Sequence, residues 1–289
     1  MRALVTGGTG QVGRALVASV PGHIDVVAPP RDRLDLADTR SIADYLGAER
    51  FDLIVNSGAY TAVDLAEREQ VLADRVNHLA VKAIAEAAGD ARLVQISTDF
   101  VFDGSSGRPY RAEDKTFPLG AYGRTKRDGE RAALMRADTL VVRTSWVYAA
   151  AGKNFVNTML KLIAERDEVR VVADQVGTPT HAASLARAIW ALAGATLPEC
   201  RVAHWTDAGV ASWYDFAVAI REEALAIGLL ARAAIVVPIR TEDYPTPAKR
   251  PNYSVLDKTT AFGQLGPARH WRDELRACLD RMAPPRVGQ

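Results

Sequence analysis

A glycine-rich turn close to the N-terminus, Gly7-Gly8-Thr9-Gly10-Gln11-Val12-Gly13, limits what this chain can fold into more than any other feature. It follows the apolar run Ala3-Leu4-Val5 and leads into a helical pattern over 11–20. The spacing satisfies GxGxxG at Gly8, Gly10 and Gly13, and GxxGxxG at Gly7, Gly10 and Gly13. Lacking Cβ atoms, such glycines permit a tight turn and let backbone N–H groups approach a pyrophosphate at a helix N-terminus. Alone, the pattern describes an ordinary glycine turn. Between a first strand and a first helix, it predicts a dinucleotide site formed by Gly7, Gly10, Gln11, Val12 and Gly13.

The rest of the chain supports that placement. Short β-branched runs over 3–6, 24–28, 53–56, 93–97, 140–144 and 169–172 alternate with helical patterns over 11–20, 39–46, 70–88, 121–136 and 155–166. Val76, Leu79, Ala80, Ala83, Ile84 and Ala87 recur with helical period. Right-handed βαβ crossovers of this kind predict an α/β fold, a Rossmann-type doubly wound parallel sheet. Beyond residue 173, prolines 179, 198, 238, 245, 247 and 251 punctuate shorter elements, with helices expected near 182–193, 213–226 and 271–281. The expected division is a dinucleotide-binding domain over 1–172, to which a helix near 182–193 returns. Residues 173–289 form mainly a smaller C-terminal α/β substrate-binding domain, whose tail from Ala283 is expected to fray.

Charge and cysteine content narrow the function classes. The 36 basic and 35 acidic side chains leave a net charge of +1, no footprint for nucleic acid or an anionic membrane surface. Cys200 and Cys278 have neither disulfide nor metal spacing, and the five histidines show no zinc pattern, so no metal is expected. No apolar run reaches the roughly 20 residues that cross a bilayer, and no signal peptide is recognisable. A cytoplasmic location is expected.

The second strand ends at Ala28-Pro29-Pro30-Arg31, where an NAD-binding site would carry a carboxylate for the ribose hydroxyls. Arg31, with Arg33 close by, fits a 2′-phosphate instead, because a planar guanidinium pairs well with phosphate. NADPH is therefore preferred, with NADH still possible. Asp35, next to Leu36, is placed to meet the adenine.

Chemistry enters with Tyr122-Gly123-Arg124-Thr125-Lys126 and with Ser97-Thr98 at the end of the fourth strand. Residues i and i+4 share a helix face, so Tyr122 and Lys126 reach one bound molecule. Ketone reduction needs hydride on carbon and a proton on the developing alkoxide. A phenol is protonated at neutral pH and can give that proton. A nearby ammonium stabilises the tyrosinate as it forms, and the Thr98 hydroxyl can polarise the carbonyl.

With these residues in view, the sequence resembles the extended short-chain dehydrogenase/reductases, and among them the dTDP-4-dehydrorhamnose reductase family. The likeness rests on Gly7–Gly13, Asn56–Asp64 (NSGAYTAVD), Ser97–Gly104 (STDFVFDG), Tyr122–Lys126 and Arg143–Tyr148 (RTSWVY). Asp174–Thr180 (DQVGTPT) and Arg250–Asp257 (RPNYSVLD) extend it over nearly the whole chain. The resemblance implies reduction of the C4 keto group of dTDP-4-dehydro-L-rhamnose with NADPH, giving dTDP-L-rhamnose for surface polysaccharide. It implies Thr98, Tyr122 and Lys126 as the catalytic set, and Ala59 and Tyr60 as a cofactor-lining turn. Val63, Asp99, Phe100 and Trp146 would then wall the sugar pocket beside Thr98 and Tyr122. Arg250, or alternatively Lys249 or Lys153, would meet the diphosphate. Asn77 matches an asparagine of extended reductases, and a purely structural role in its helix explains it equally well.

Two positions depart from the family pattern. Phe100 stands where relatives often have tyrosine, removing a phenol from the pocket. Ala15 stands where some relatives carry a magnesium-binding glutamate at a dimer interface, so no metal-bridged dimer is expected, and the chain is a monomer or homodimer. A 4-ketoreductase for another dTDP-deoxysugar shares every motif. A non-catalytic NADP-binding regulatory subunit is the alternative outside enzymes.

Overall fold

The computed structural model describes residues 1–283, so the tail expected to fray from Ala283 falls, beyond that residue, outside the described residues. The first half contains β1 (Arg2–Thr6), α1 (Gln11–Ala18), β2 (Asp25–Val27), α2 (Thr39–Ala48), β3 (Leu53–Asn56), α3 (Val63–Ala66), α4 (Gln70–Asp74) and α5 (Ala80–Ala87). It continues with β4 (Arg92–Thr98), α6 (Ala121–Leu134), β5 (Thr139–Thr144) and α7 (Phe155–Glu165). The second half adds β6 (Glu168–Val172), α8 (Ala182–Gly194), β7 (Val202–His204), α9 (Trp213–Ala226), β8 (Ile235–Ile239), α10 (Thr259–Leu265) and α11 (Trp271–Asp280).

Six strands form an all-parallel sheet in the order β7-β5-β4-β3-β1-β2. Both faces are covered, and the strand sequences show why. Alternate residues point to opposite faces, and Ala3, Val5, Leu53, Val55, Val94, Ile96, Leu140 and Val142 all join the core that includes Leu16, Leu185 and Ile189. Leu4, Ile54 and Leu93 join the opposite core with Ile42, Val81 and Ile84. Strands apolar on both faces are what a doubly wound sheet requires. Strand order reverses at β1, whose neighbours are β2 and β3, and the carboxyl ends there open the crevice in which such sheets bind ligands.

The strand at 168–172 corrects one expectation. The division at residue 172 placed it with the dinucleotide domain, but β6 pairs in parallel with β8 in a separate two-stranded sheet. The sixth position in the large sheet goes to β7, next to β5. A further core, built by α7, α9 and α11 around Val169, Phe216, Ile220 and Leu275, buries the inner face of the small sheet. Meanwhile α8 packs on α1 against the large sheet, and Phe262 and Leu265 of α10 lie against the same core. The helix expected over 70–88 is interrupted: α4 runs into a π turn over Arg75–Leu79 before α5 begins. Such turns re-aim side chains and cluster at functional sites.

Candidate active site

A cleft of about 810 Å³ runs along the carboxyl edge of the large sheet. Gly7 lines one end with φ +65°, and a Cβ there would lie 2.6 Å from Gly58 Cα. Gly13 lies beneath the turn and does not line the cleft; a Cβ on it would sit 2.2 Å from the Gly7 carbonyl oxygen. α1 begins at Gln11 with Gly10 as its N-cap, without a capping side chain and without an acidic residue in its first turn. Its first N–H groups are thus left to an anion. Gly10, Gln11 and Val12 line the cleft, and the Gln11 side chain accepts from Asn154 Nδ2 at 2.9 Å.

Past the end of β2, Arg31, Asp35 and Leu36 line the cleft. The Arg31 side chain is 77% exposed and, among the described residues, makes a single 3.2 Å contact from Nε to Asp35, so its guanidinium is free to turn towards a ligand. Arg33 does not line the cleft. Asp35 Oδ1 also accepts from the Ala37 N–H at 2.9 Å. Ala59 and Tyr60 line the middle, where Asn77 grips the Tyr60 backbone twice: its Oδ1 accepts from Tyr60 N at 2.9 Å and its Nδ2 donates to Tyr60 O at 3.0 Å. Asn77 Nδ2 also donates to Thr125 of α6 at 3.1 Å. The π turn thereby ties the turn at Ala59 and Tyr60 to the helix that carries Tyr122 and Lys126.

Thr98, Tyr122 and Lys126 all line the same stretch of the cleft. Buried Lys126 donates from Nζ to Ile96 O at 2.6 Å. That carbonyl also accepts from Gln95 Nε2 at 2.8 Å, Gln95 accepts from Asn56 Nδ2 at 2.7 Å, and Asn56 accepts from Thr6 Oγ1 at 2.5 Å. This buried chain across β1, β3 and β4 was not foreseen from sequence, because isolated Thr, Asn and Gln in strands give no signal until the strands align. Burial pushes the Lys126 ammonium down to about 8, and the Glu130 carboxylate pulls it back up. Glu130 is shared with Arg143, which holds it at 2.9 and 2.8 Å.

Burial pushes the Tyr122 phenol up to about 12, with the Asp99 charge adding and the Thr98 hydroxyl opposing. The expected lowering of this pKa by Lys126 is not seen; the opposing effect comes from Thr98. The Thr98 hydroxyl donates to Asp99 Oδ1 at 3.0 Å and accepts from the Phe100 N–H at 3.2 Å. Buried Asp99 is itself pushed up to about 6 by desolvation, opposed by Ser254 and Thr98. Ser97 and Thr144 line the cleft, and their hydroxyl oxygens are buried without a partner among the described residues. Buried hydroxyls left unsatisfied in residues beside a cleft call for a partner from outside the chain, a water or a polar ligand. With the glycine cradle and uncapped helix end, they show that these residues fit a dinucleotide.

The far end is walled by Val63, Phe100, Trp146 and Arg250. The Phe100 ring meets Tyr122 edge-on, centroids 5.6 Å apart. Trp146, at φ +47°, stacks on Trp213 with centroids 3.5 Å apart and planes 6° apart. The same indole lies close to Gly177, where a Cβ would come within 2.7 Å of it. Trp213 was missed by sequence reasoning. Short strand pairing of Ala211–Ser212 with Val176–Gly177 brings it to the cleft. Arg250 is paired with Asp64, another residue given no role beforehand. Lys153 lines the cleft, whereas Lys249 is exposed and does not. Glu67 was also unforeseen: it caps the uncapped start of α6, accepting from Ala121 N at 2.7 Å. Among the described residues no cluster of three or more His, Cys, Asp or Glu could hold a metal, and no helix is long and apolar enough to cross a membrane.

The arrangement puts a proton-bearing phenol, a cation and a hydroxyl beside a dinucleotide cradle. Comparison with known proteins agrees with that picture. The family described as the RmlD substrate binding domain matches residues 1–283. The chain is 42% identical to a dTDP-4-dehydrorhamnose reductase of Burkholderia thailandensis, covering 96% of this chain and 98% of that one. It is 40% identical to a probable dTDP-4,6-dihydroxy-2-methyloxan-3-one 4-ketoreductase of Streptomyces antibioticus, over 96% and 94% of the two chains. The crystal structure of dTDP-4-dehydrorhamnose reductase from Bacillus anthracis in complex with NADP superposes with a TM-score of 0.90 at 32% identity, covering 97% of this chain and 99% of that one.

Proposed function

Since the chain belongs to the RmlD substrate binding domain family, we propose that it reduces the C4 keto group of dTDP-4-dehydro-L-rhamnose, giving dTDP-L-rhamnose, with NADPH as reductant. The observation that carries this reading is the convergence of Thr98, Tyr122 and Lys126 on one cleft that begins at the glycine cradle. The dinucleotide would lie along Gly7–Val12, with Arg31 at its 2′-phosphate, and when bound supplies the hydride. Lys126, anchored on Ile96 O, holds positive charge beside it.

Tyr122 gives the proton. A phenol pushed up to about 12 stays protonated until a stronger base appears, and the alkoxide left by hydride addition is such a base. Thr98, whose hydroxyl donates to Asp99 Oδ1 here, would orient the carbonyl by turning that proton from the carboxylate to the substrate oxygen. The phenol is only half-buried in the open cleft, and its low-dielectric surroundings strengthen each local dipole. The lobe built on β6, β8, α7, α9 and α11 contributes Trp213, and the neighbouring 246–250 segment contributes Arg250, so this side of the cleft is read as the sugar-nucleotide side. The cytoplasmic location and monomer-or-homodimer state expected from the sequence go with this reading.

Purified protein mixed with NADPH and enzymatically generated dTDP-4-dehydrorhamnose tests it: nicotinamide absorbance should fall and NMR should show dTDP-L-rhamnose. No oxidation of NADPH would reject the proposal. The similarity to a 4-ketoreductase from Streptomyces antibioticus favours a second reading, the same reaction on another dTDP-deoxysugar. A panel of dTDP-4-keto sugars separates the two by their kcat/KM.

A further inference from the structure

Arg250 and Asp64 meet at the far wall of the cleft although 186 residues separate them. Nη1 of Arg250 donates to Asp64 Oδ1 at 3.0 Å and Nη2 donates to Oδ2 at 2.7 Å. The same Oδ1 accepts from the Ala248 N–H at 3.2 Å. Arg250 Nη1 also donates to Thr246 Oγ1 at 2.6 Å and to Ala248 O at 3.1 Å. One carboxylate of α3 therefore gathers the 246–250 segment onto the large-sheet side of the cleft. The Arg250 guanidinium holds the Asp64 carboxyl below the usual carboxylate range.

A guanidinium offers two edges that chelate an anion, one through Nη1 and Nη2 and one through Nε and Nη2. Asp64 occupies the first. Among the described residues nothing accepts from Nε, and Arg250 lines the cleft. Paired charges sum to zero, so an anion arriving here is selected by directed hydrogen bonds more than by net charge.

We propose that Asp64 is a positioning residue that fixes Arg250 by its terminal edge and so presents the Nε edge to the diphosphate of a nucleotide-linked sugar. The inference rests on the sugar-nucleotide reading above. Asp64 itself touches neither substrate nor cofactor. Its loss leaves the arginine charged but unaimed, and leaves the 246–250 segment without its tie to α3.

The test is calorimetric titration with dTDP, in the presence of NADPH, of the wild type and of Asp64→Ala, Asp64→Asn, Arg250→Ala and the Asp64→Ala/Arg250→Ala pair. Asp64→Ala should weaken dTDP binding about tenfold, equivalent to about 1.4 kcal/mol. Asp64→Asn, which keeps the shape and one acceptor, should weaken it severalfold. The double variant should bind no more weakly than Arg250→Ala alone, because both changes remove one interaction. KM for the keto sugar should rise by the dTDP factor while kcat and NADPH affinity hold, and trypsin should cut faster after Lys249. Unchanged or tighter dTDP binding by Asp64→Asn overturns the assignment, as does full additivity in the double variant. A wild type that binds no dTDP overturns the sugar-nucleotide reading itself, and the positioning role with it.

Discussion

Replacing Lys126 by Met should make the protein more stable at neutral pH while removing its activity. In the fold the ammonium is pushed from an ordinary value of 10.5 down to about 8, first by burial, with Glu130 partly compensating. A tenfold change in proton affinity corresponds to about 1.4 kcal/mol, so keeping this group charged costs the native state about 3 kcal/mol at pH 7. Met has nearly the same length without the charge, and the Ile96 carbonyl keeps its hydrogen bond from Gln95. The variant should therefore gain about 2–3 kcal/mol at pH 7. The sign fixes the pH window. Below pH 8 both folded and unfolded wild type hold the proton, and the cost is present in full. Between about 8 and 10.5 the unfolded chain binds the proton and the folded one releases it, so wild-type stability rises with pH. Above that range both are neutral and the advantage of Met disappears. Urea unfolding of both proteins at pH 7 and at pH 10, with matched m-values, measures this directly. A variant that is less stable than wild type at pH 7, or a difference that does not shrink with pH, refutes the reasoning.

Tyr122→Phe should bind NADPH as wild type does and lose turnover by about 10³-fold or more, since it removes the proton donor alone; stopped-flow single turnovers check this. Arg31→Ala should weaken NADPH binding about tenfold and leave NADH binding unchanged, the loss expected for one charge-assisted contact; fluorescence titration with both cofactors compares them. Gly177→Ala should raise KM for the keto sugar with little effect on NADPH, because the new methyl would sit 2.7 Å from the Trp146 indole and displace this cleft-lining ring from its stack on Trp213. Steady-state kinetics with each substrate varied in turn separates the two.

The glycine turn, the Tyr122–Lys126 spacing and Thr98 at a strand end were legible because each is a local pattern with one geometric consequence. Gly7 needs its positive φ whatever the rest of the chain does, and an i, i+4 pair shares a face in any helix. Elements whose existence depends on distant partners were not legible in the same way. β7 is three residues long and becomes a strand only by pairing with β5, whereas the β-branched run at 168–172 has the look of a sheet strand yet pairs with β8. The π turn at 75–79 lies inside an unbroken helical pattern, and its cause is tertiary: Asn77 reaches Tyr60 and Thr125 at once. Asp64 closes the Asn56–Asp64 stretch, but nothing in that stretch points to Arg250, and Glu67 carries no motif of its own. Trp213 had a nearby signal, the Ser212–Asp215 capping box, which fixes where α9 starts but not what its first residue touches.

The most direct test of the account follows the label from reductant to product. The protein is incubated with NADPH deuterated at the transferable nicotinamide position and with dTDP-4-dehydro-L-rhamnose, and the product is examined by NMR. Wild type should give dTDP-L-rhamnose carrying deuterium at C4, and Tyr122→Phe should form it about 10³-fold more slowly or slower still, so that a matched incubation shows almost none. Deuterium elsewhere in the sugar, or equal labelling by the Tyr122→Phe variant, would contradict the account.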